Sequence, residues 1–260
     1  MSYENILVEV AGGLGKVTVD RPEVLNALNH QTLSELAAAF DALRDDGSVR
    51  CVLVTGAGDK AFVAGADINE LARMRAMSAR ELARFGQGVF ARLEGMGKPT
   101  VAMINGFALG GGLELALACT LRTASESARM GLPEVGLGII PGYGGTQRLA
   151  RVAGPGVARE WVLTGEMFGA AEAHRVGVVN RVFPAAELLE GTMKLIRTLM
   201  SRAPIALRLG MDAITRGMNV SQQEGETMET DMFGLASTTE DMREGMAAFL
   251  EKRKPEFRGK

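Results

Sequence analysis

Histidine and cysteine, the side chains that most often hold zinc, are scarce in this sequence, with two of each among 260 residues. His30 and His174 have no neighbours at ligand spacing, and the chain contains no Cys-x-x-Cys pair and no phosphate-loop lysine motif. These absences argue against a zinc site and against a Ser-His-Asp hydrolase. Cys51 and Cys119 lie in apolar segments, which predicts buried, reduced thiols rather than a disulfide.

An excess of charge is also lacking, because 29 basic and 31 acidic residues leave a formal net charge of −2. Such a balance provides no long-range field that would attract a nucleic acid or an anionic membrane. No run is long and apolar enough to span a bilayer, and residues 1–5 lack the features of a signal or transit peptide. We therefore expect a cytoplasmic protein with no nucleic-acid partner and no membrane partner.

Glycine, by contrast, is abundant, with 33 residues, roughly twice the usual share of about 7%. Hydrophobic residues make up 47% of the chain, which suits one large domain, or one domain with a small appendage. We expect bare backbone to approach other chain segments, or a ligand, at many positions.

Strand and helix signals alternate along the chain, which predicts an α/β fold. A helix is predicted from a cap at Asn29 to Leu43, because apolar residues recur there at three and four positions. The apolar run from Leu113 to Leu121 predicts a buried helix. From about residue 187 strand signals stop, and we divide the chain into a core of residues 1–190 and a helical region of residues 191–260. Strands are predicted at 6–10, 16–19, 49–55, 100–104, 123–124 and 178–183, and C-terminal helices at 187–201, 204–216 and 239–253.

Residues 56–61 match the dinucleotide pattern G-x-G-x-x-A after a predicted strand. Residues 62–66 do not begin an amphipathic helix, so the context that this fingerprint requires is missing. The sequence therefore does not predict a nicotinamide site.

Glu114 is out of character in its surroundings, an apolar helix that follows the triple glycine 110–112. A carboxylate in such a helix costs several kcal/mol, by order of magnitude, unless it is paired or used. Glu114 is thus either a functional acid or base, or the partner of an arginine such as Arg122 or Arg148.

The glycines before Glu114 favour a second function. A helix that begins near Gly111 exposes unpaired N–H groups, and glycine lets a ligand oxygen approach them. This arrangement is suited to one half of an oxyanion hole, and the segment 62–68 of small residues is a candidate for the other half. Each segment alone is also compatible with an ordinary turn.

Glu134 is a second lone carboxylate among apolar residues, twenty positions after Glu114. Only the fold can bring the two together. If they converge on a water molecule, one can serve as base and the other as acid, as the addition of H and OH to an activated double bond requires.

At these residues the sequence closely resembles the crotonase, or enoyl-CoA hydratase/isomerase, family. The resemblance implies a crotonase-like α/β spiral of repeated ββα units with a C-terminal helical trimerisation region, often assembled as a hexamer, a dimer of trimers. It also implies an acyl-CoA substrate, with coenzyme A as part of that substrate and no further cofactor or metal. The matching blocks are Arg21-Pro22, Asn26-Ala27-Leu28, residues 64–68, 105–116, 133–149, 163–165 and 249–257.

By this resemblance, the backbone N–H groups of Ala66 and Gly111 would hold the thioester carbonyl and stabilise the enolate. Glu114 would orient and deprotonate the catalytic water, and Glu134 would handle the proton at C2. The same resemblance implies a substrate and coenzyme A site that includes Leu25, Ala27, Ala64, Gly65, Asp67, Ile68, Asn69, Gly142 and Tyr143, with C-terminal basic residues near the phosphates.

Two residues depart from the familiar pattern, since Leu132 stands where glutamine is common and Tyr143 where a small residue is common. Tyr143 beside the acyl site would affect chain-length preference or donate a hydrogen bond. The resemblance favours hydration of a trans-2-enoyl-CoA to a 3-hydroxyacyl-CoA. The alternatives are an isomerase, a hydrolase or decarboxylase of the same family, and a non-catalytic scaffold that binds acyl-CoA or RNA.

Overall fold

The computed structural model describes residues 3–260, which form ten strands and ten α-helices. The strands are β1 (Ile6–Ala11), β2 (Leu14–Val19), β3 (Cys51–Gly56), β4 (Ala61–Val63), β5 (Thr100–Ile104), β6 (Phe107–Leu109), β7 (Leu121–Ser125), β8 (Arg129–Gly131), β9 (Phe168–Gly169) and β10 (Arg181–Phe183). The helices are α1 (His30–Asp45), α2 (Ile68–Leu71), α3 (Ala76–Glu94), α4 (Gly111–Ala118), α5 (Gly145–Thr164), α6 (Ala170–Arg175), α7 (Leu188–Met200), α8 (Pro204–Gly217), α9 (Gln222–Ala236) and α10 (Glu240–Leu250). Short 3-10 helices cover Pro22–Val24, Pro133–Leu137 and Ala185–Glu187.

The strands form two sheets. The larger has the order β1-β2-β3-β5-β7-β10, in which β1 is antiparallel to β2 and the other neighbours are parallel. The smaller has the order β4-β6-β8-β9, with only β9 antiparallel to its neighbour. From β3 to α5 the chain adds one strand to each sheet and then enters helix, three times in succession. The expected α/β spiral of repeated ββα units is confirmed.

Local sequence explains the elements that were predicted well. Asn29 caps α1, its side chain accepting a hydrogen bond from the Thr32 amide, and the helix buries Leu33, Leu36 and Phe40. Every residue of β3 is buried, as expected for a parallel strand covered on both faces. Cys51 and Cys119 are buried free thiols, and burial raises the pKa of each to about 12.

Three predicted elements have bounds that are wrong by up to three residues, and one of them is the helix expected at 239–253, which ends at Leu250. The helix expected at Leu113–Leu121 begins at Gly111 and ends at Ala118, because Leu121 already pairs with Val101 in the large sheet. The strand expected at 178–183 covers only Arg181–Phe183. The buried residue Val178 lies before it in a loop, where its carbonyl accepts from Arg122 Nε at 2.6 Å.

The C-terminal quarter is helical, as expected, although α9 was not predicted. Helix α7 packs Leu195 and Ile196 against Cys51, Leu53 and Val101 of the large sheet. The division into residues 1–190 and 191–260 stays a prediction. Among the described residues, no helix has the length and apolar character needed to cross a membrane.

Candidate active site

Glu114 and Glu134 lie in the wall of one cavity of about 980 Å³. Its remaining wall comes from the segment 64–66, the start of α4, and the residues around α2 and α3, and it is mainly apolar. Most of these apolar residues were not predicted from the sequence, although the aliphatic residues within a glycine-rich stretch were a usable signal. The wall residues not predicted include Leu71, Met74, Leu82, Ala83, Leu109, Val135, Leu137, Ile139 and Ile140.

Glu114 is 1% exposed and is held by main-chain amides. Its Oε1 accepts hydrogen bonds from Tyr143 N at 2.8 Å and from Gly145 N at 2.7 Å. Because both bonds fall on one oxygen, Oε2 is left to meet a ligand or water. The two amides fix the orientation of the carboxylate without any side chain of the loop.

The alternative in which Glu114 pairs with an arginine is wrong. Arg122 directs its side chain to the carbonyls of Val178 and Cys119. Arg148 forms its ion pair with Glu94, at 2.6 Å between Nη2 and Oε2. The buried charge of Glu114 is therefore not neutralised by direct contact with a cation.

This environment shifts the proton affinity of Glu114. Burial raises the pKa of Glu114 to about 7, and the negative charge of Glu134 acts in the same direction. The amides of Gly145 and Tyr143 and the charge of Arg148 oppose the rise. A carboxyl group with a pKa near neutrality can both accept and release a proton at physiological pH.

Glu134 belongs to the 3-10 helix Pro133–Leu137, and burial raises its pKa to about 6. Its buried Oε2 has no hydrogen-bond partner among the described residues. A Cβ atom on Gly110 would lie 2.8 Å from Glu134 Oε1, so glycine is needed there to admit the carboxylate. Buried polar atoms are rarely left unsatisfied, which indicates that this oxygen meets a ligand or water.

The backbone of the first turn of α4 faces the same cavity. Gly110 has φ 50° and provides no side-chain cap. Within the described chain, the amides of Gly111 and Ala66 donate no main-chain hydrogen bond, and both residues line the cavity. A Cβ atom on Gly112 would lie 1.9 Å from the Val63 carbonyl oxygen, so only glycine allows this turn to pack against β4. The two amides are available to a ligand oxygen.

Tyr143 closes one side of the cavity and is 5% exposed. Its ring meets Phe90 edge-on, with centroids 5.7 Å apart. A Cβ atom on Gly86 would lie 2.3 Å from the ring, and one on Gly111 would lie 3.2 Å from it. Burial raises the pKa of the Tyr143 phenol, so the hydroxyl stays protonated at neutral pH.

A second turn approaches the cavity from the N-terminal side. Leu25 and Asn26 have positive φ, of 54° and 61°. The buried Asn26 holds this turn in place, because its Nδ2 donates to the carbonyls of Ala57 and Ala61. Sequence reasoning noted Asn26 only as part of a matching block, and its role as a clamp was missed.

The turn lies against the segment 64–69, with Ala64 N donating to Leu25 O at 3.0 Å and Asp67 N donating to Leu28 O at 2.8 Å. Five of the residues assigned to the substrate and coenzyme A site line the cavity: Ala64, Gly65, Ile68, Gly142 and Tyr143. The others, Leu25, Ala27, Asp67 and Asn69, lie next to these residues in the chain or in the adjoining turn and do not line the cavity itself.

The chain is similar to known enoyl-CoA hydratases in sequence and in fold. The chain is 47% identical to a crotonyl-CoA hydratase of Syntrophomonas wolfei over 257 residues, 99% of each chain. It is 44% identical to a short-chain-enoyl-CoA hydratase of Clostridium acetobutylicum over 98% of each chain. A crystal structure of enoyl-CoA hydratase from Bacillus anthracis superposes with a TM-score of 0.95 at 40% identity, over 99% of this chain and all of the other.

The family model described as enoyl-CoA hydratase/isomerase matches residues 9–260. That span includes both carboxylates, both free amides and the whole cavity. The chain therefore belongs to the enoyl-CoA hydratase/isomerase family.

Proposed function

We propose that this protein is an enoyl-CoA hydratase, which adds water reversibly to a trans-2-enoyl-CoA and yields a 3-hydroxyacyl-CoA. The observation that carries the proposal is the meeting of Glu114 and Glu134, neither in an ion pair within the described chain, in a cavity that also presents two free amides. Hydration needs a base for water, an acid for C2 and donors for the thioester oxygen.

The amides of Ala66 and Gly111 are suited to bind the thioester carbonyl. As the water oxygen bonds to C3, the electron pair of the double bond moves to C2 and onto that carbonyl as an enolate. Donors in such a position are commonly worth about 3 to 4 kcal/mol each in the transition state. The positive end of α4 supports the same charge.

The two carboxyl groups divide the proton transfers. Glu114 Oε2 accepts the proton of the attacking water, because Oε1 is already engaged by two amides. Glu134 delivers a proton to C2. With the pKa of both groups raised toward neutrality, forms of the pair that carry a single proton are populated near pH 7.

The preferred substrate is proposed to be short. The two relatives named above are called a crotonyl-CoA hydratase and a short-chain-enoyl-CoA hydratase. In this chain the buried ring of Tyr143, packed on Gly86, occupies space at the acyl side of the cavity. We further propose a cytoplasmic enzyme, since two reduced, buried thiols suit that compartment.

The first test is the loss of ultraviolet absorbance when crotonyl-CoA is hydrated. We expect the unmodified protein to consume crotonyl-CoA faster than a trans-2-decenoyl-CoA. Glu114→Gln and Glu134→Gln should each lower kcat by roughly 10²- to 10⁴-fold, the usual contribution of a positioned acid or base, with affinity for the thioester changed far less.

Glu126→Gln is the matched control, because Glu126 is exposed and outside the cavity. Turnover that survives both active-site substitutions would overturn the proposal. Conversion of a 3-enoyl-CoA that needs Glu134 but not Glu114 would identify an isomerase instead.

A further inference from the structure

A second cleft, of about 260 Å³, lies where four distant chain segments meet. Its wall is formed by residues around the start of β3, the start of β5, the turn between α7 and α8, and the end of the chain. Five basic side chains belong to this wall, and we call the set the basic cleft: Arg50, Lys98, Arg202, Arg208 and Arg258. No aspartate or glutamate lines it.

The positive charge of the basic cleft is compensated only at longer range, by Asp45 and Asp46 near Lys98 and by Glu244 near Arg258. Within residues 3–260, none of its five cations takes part in an ion pair. The acidic side chains close to Lys98 and to the end of the chain form hydrogen bonds with other groups. Asp46 accepts from Ser48, Glu244 accepts from Arg253, and Asp241 accepts from the amides of Arg258 and Gly259. Converging like charges repel one another unless an anion lies between them.

Most of the donors in the basic cleft are unused. Arg50 gives one bond to the Arg202 carbonyl, and Lys98 Nζ donates to the carbonyls of Leu43 and Asp46. The guanidinium groups of Arg202, Arg208 and Arg258 form no hydrogen bond in the part of the chain described. Each guanidinium carries five N–H donors in a planar fork that matches phosphate oxygens.

The fold itself positions these arginines. The aliphatic stem of Arg208 lies over Gly97, where a Cβ atom would be 3.4 Å from Cδ. Gly259 lies against Pro204, since a Cβ atom on Gly259 would be 3.5 Å from Pro204 Cγ. This contact brings Arg258 to the start of α8. Asp241 holds the end of the chain there, because its carboxylate accepts hydrogen bonds from the backbone amides of Arg258 and Gly259 at 2.6 and 2.8 Å. Packing thus positions the stem of Arg208 and the backbone at Arg258, while the side chains of Arg202, Arg208 and Arg258 are exposed to solvent.

The basic cleft is separate from the cavity of Glu114 and Glu134. The two share no wall residue. The basic cleft lies at the amino ends of β3 and β5, whereas Gly111 follows the carboxyl end of β5 by way of β6. Five residues of strand span roughly 17 Å, so the basic cleft lies well apart from the cavity that contains Glu114.

We propose that the basic cleft binds a small molecule that carries a diphosphate group. Four guanidinium groups and an ammonium group offer charge and donors for more than one phosphate. The small volume admits a compact anion, and the overall charge of −2 provides no extended basic surface for a nucleic acid. No step of the hydration reaction uses this site.

The test is calorimetric titration of the full chain with sodium pyrophosphate, at an ionic strength held constant with sodium chloride. We expect saturable binding of one pyrophosphate per chain with a Kd below about 1 mM, and weaker binding of inorganic phosphate. The double variant Arg202→Gln/Arg208→Gln should weaken the binding at least tenfold, and the single variant Arg208→Gln should give an intermediate loss.

The matched control is Arg159→Gln/Arg181→Gln, which removes the same charge from two exposed arginines outside the cleft. It should bind pyrophosphate as the unmodified chain does, and crotonyl-CoA hydration should be unchanged in every variant. Absence of saturable binding, or an equal loss in the control, would each overturn the proposal.

Discussion

At the scale of single residues, the basicity of Glu114 depends on a group that never touches it. Arg148 donates from Nη1 to the Tyr143 carbonyl at 2.6 Å and forms a two-point contact with Glu94, at 2.9 and 2.6 Å. Its side chain is 13% exposed. Arg148 therefore holds the loop whose amides bind Glu114, and its charge lowers the pKa of that carboxyl group.

This arrangement predicts opposite pH shifts for two variants. The charged groups that act on Glu114 are Glu134, which raises its pKa, and Arg148, which lowers it. Arg148→Met removes the charge that lowers the pKa, so Glu114 stays protonated to higher pH. The acid limb of the pH profile, where kcat/KM falls as Glu114 becomes protonated, therefore moves to higher pH. We expect roughly a fivefold loss at pH 7, recovered at higher pH, which corresponds to a rise of about one pH unit in the pKa of Glu114.

Glu94→Gln breaks the same ion pair but leaves Arg148 charged and unneutralised, so the acid limb should move to lower pH. The measurement is the pH profile of crotonyl-CoA hydration for both variants, with Arg151→Met one turn along α5 as the control. A merely structural role would lower activity in both variants without moving the limb. Shifts in the same direction would contradict the electrostatic explanation.

At the scale of secondary structure, the first turn of α4 combines packing with function. Glycine at 112 lets α4 approach β4, and glycine at 110 admits Glu134. The amide of Gly111 remains directed at the cavity. The first turn of α4 is therefore positioned by glycines that the proposed hydration also requires.

Gly111→Pro tests this element, because proline fits the first position of a helix and removes the N–H group, although it also adds a Cβ near the Tyr143 ring. We expect a fall in kcat of about 10²- to 10³-fold, the usual effect of losing one oxyanion donor, with the fold retained by circular dichroism. Gly111→Ala is the matched control, since it keeps the amide and adds a Cβ near the Tyr143 ring. Comparable losses in both variants would show that crowding, and not the missing donor, limits the rate.

The elements differ in how far the sequence could predict them. The β1–β2 hairpin, α1, β5 and α8 carry clear patterns and were predicted within a residue or two. Helix α3 contains Gly86 and Gly88, and α5 contains a non-helical Gly154 followed by Pro155, so neither was predicted. Strands β4, β6 and β8 have three residues each, too few for an alternating pattern to be recognised.

The site was predictable to the extent that single residues were out of place. Glu114 and Glu134 stood out because each is a lone carboxylate among apolar neighbours. Their convergence could not be predicted from spacing, since twenty residues separate them and only the two-sheet spiral brings them to one cavity. The wall formed by α2 and α3 was missed for the same reason.

At the scale of the whole molecule, the C-terminal helices present a large apolar surface. The most exposed hydrophobic side chains of α8, α9 and α10 are Ile214, Phe233, Phe249 and Leu250, between 71% and 82% accessible. Large apolar side chains this exposed mark an interface where they form one patch. Their exposure supports our expectation of a trimer, or of a hexamer built from two trimers.

Light scattering after size-exclusion chromatography tests this expectation directly. We expect a mass of three or six chains of 27.6 kDa. Phe233→Ser/Phe249→Ser should lower the mass to that of a single chain, because each phenylalanine loses roughly 2 to 3 kcal/mol of burial in an interface. Leu7→Ser/Val10→Ser, which alters exposed aliphatic residues of β1, should leave the assembly intact. A single-chain mass for the unmodified protein would contradict the prediction.

The two amides that bind Glu114 Oε1 have a consequence for how this enzyme can diversify. They belong to the main chain of residues 143 and 145, so they persist when the side chain at 143 is exchanged for any residue except proline. The ring at that position shapes the cavity, while the carboxylate that we propose as the base is held by atoms that no such exchange removes. Substrate range can therefore drift through mutation at one position while the reaction itself is inherited unchanged.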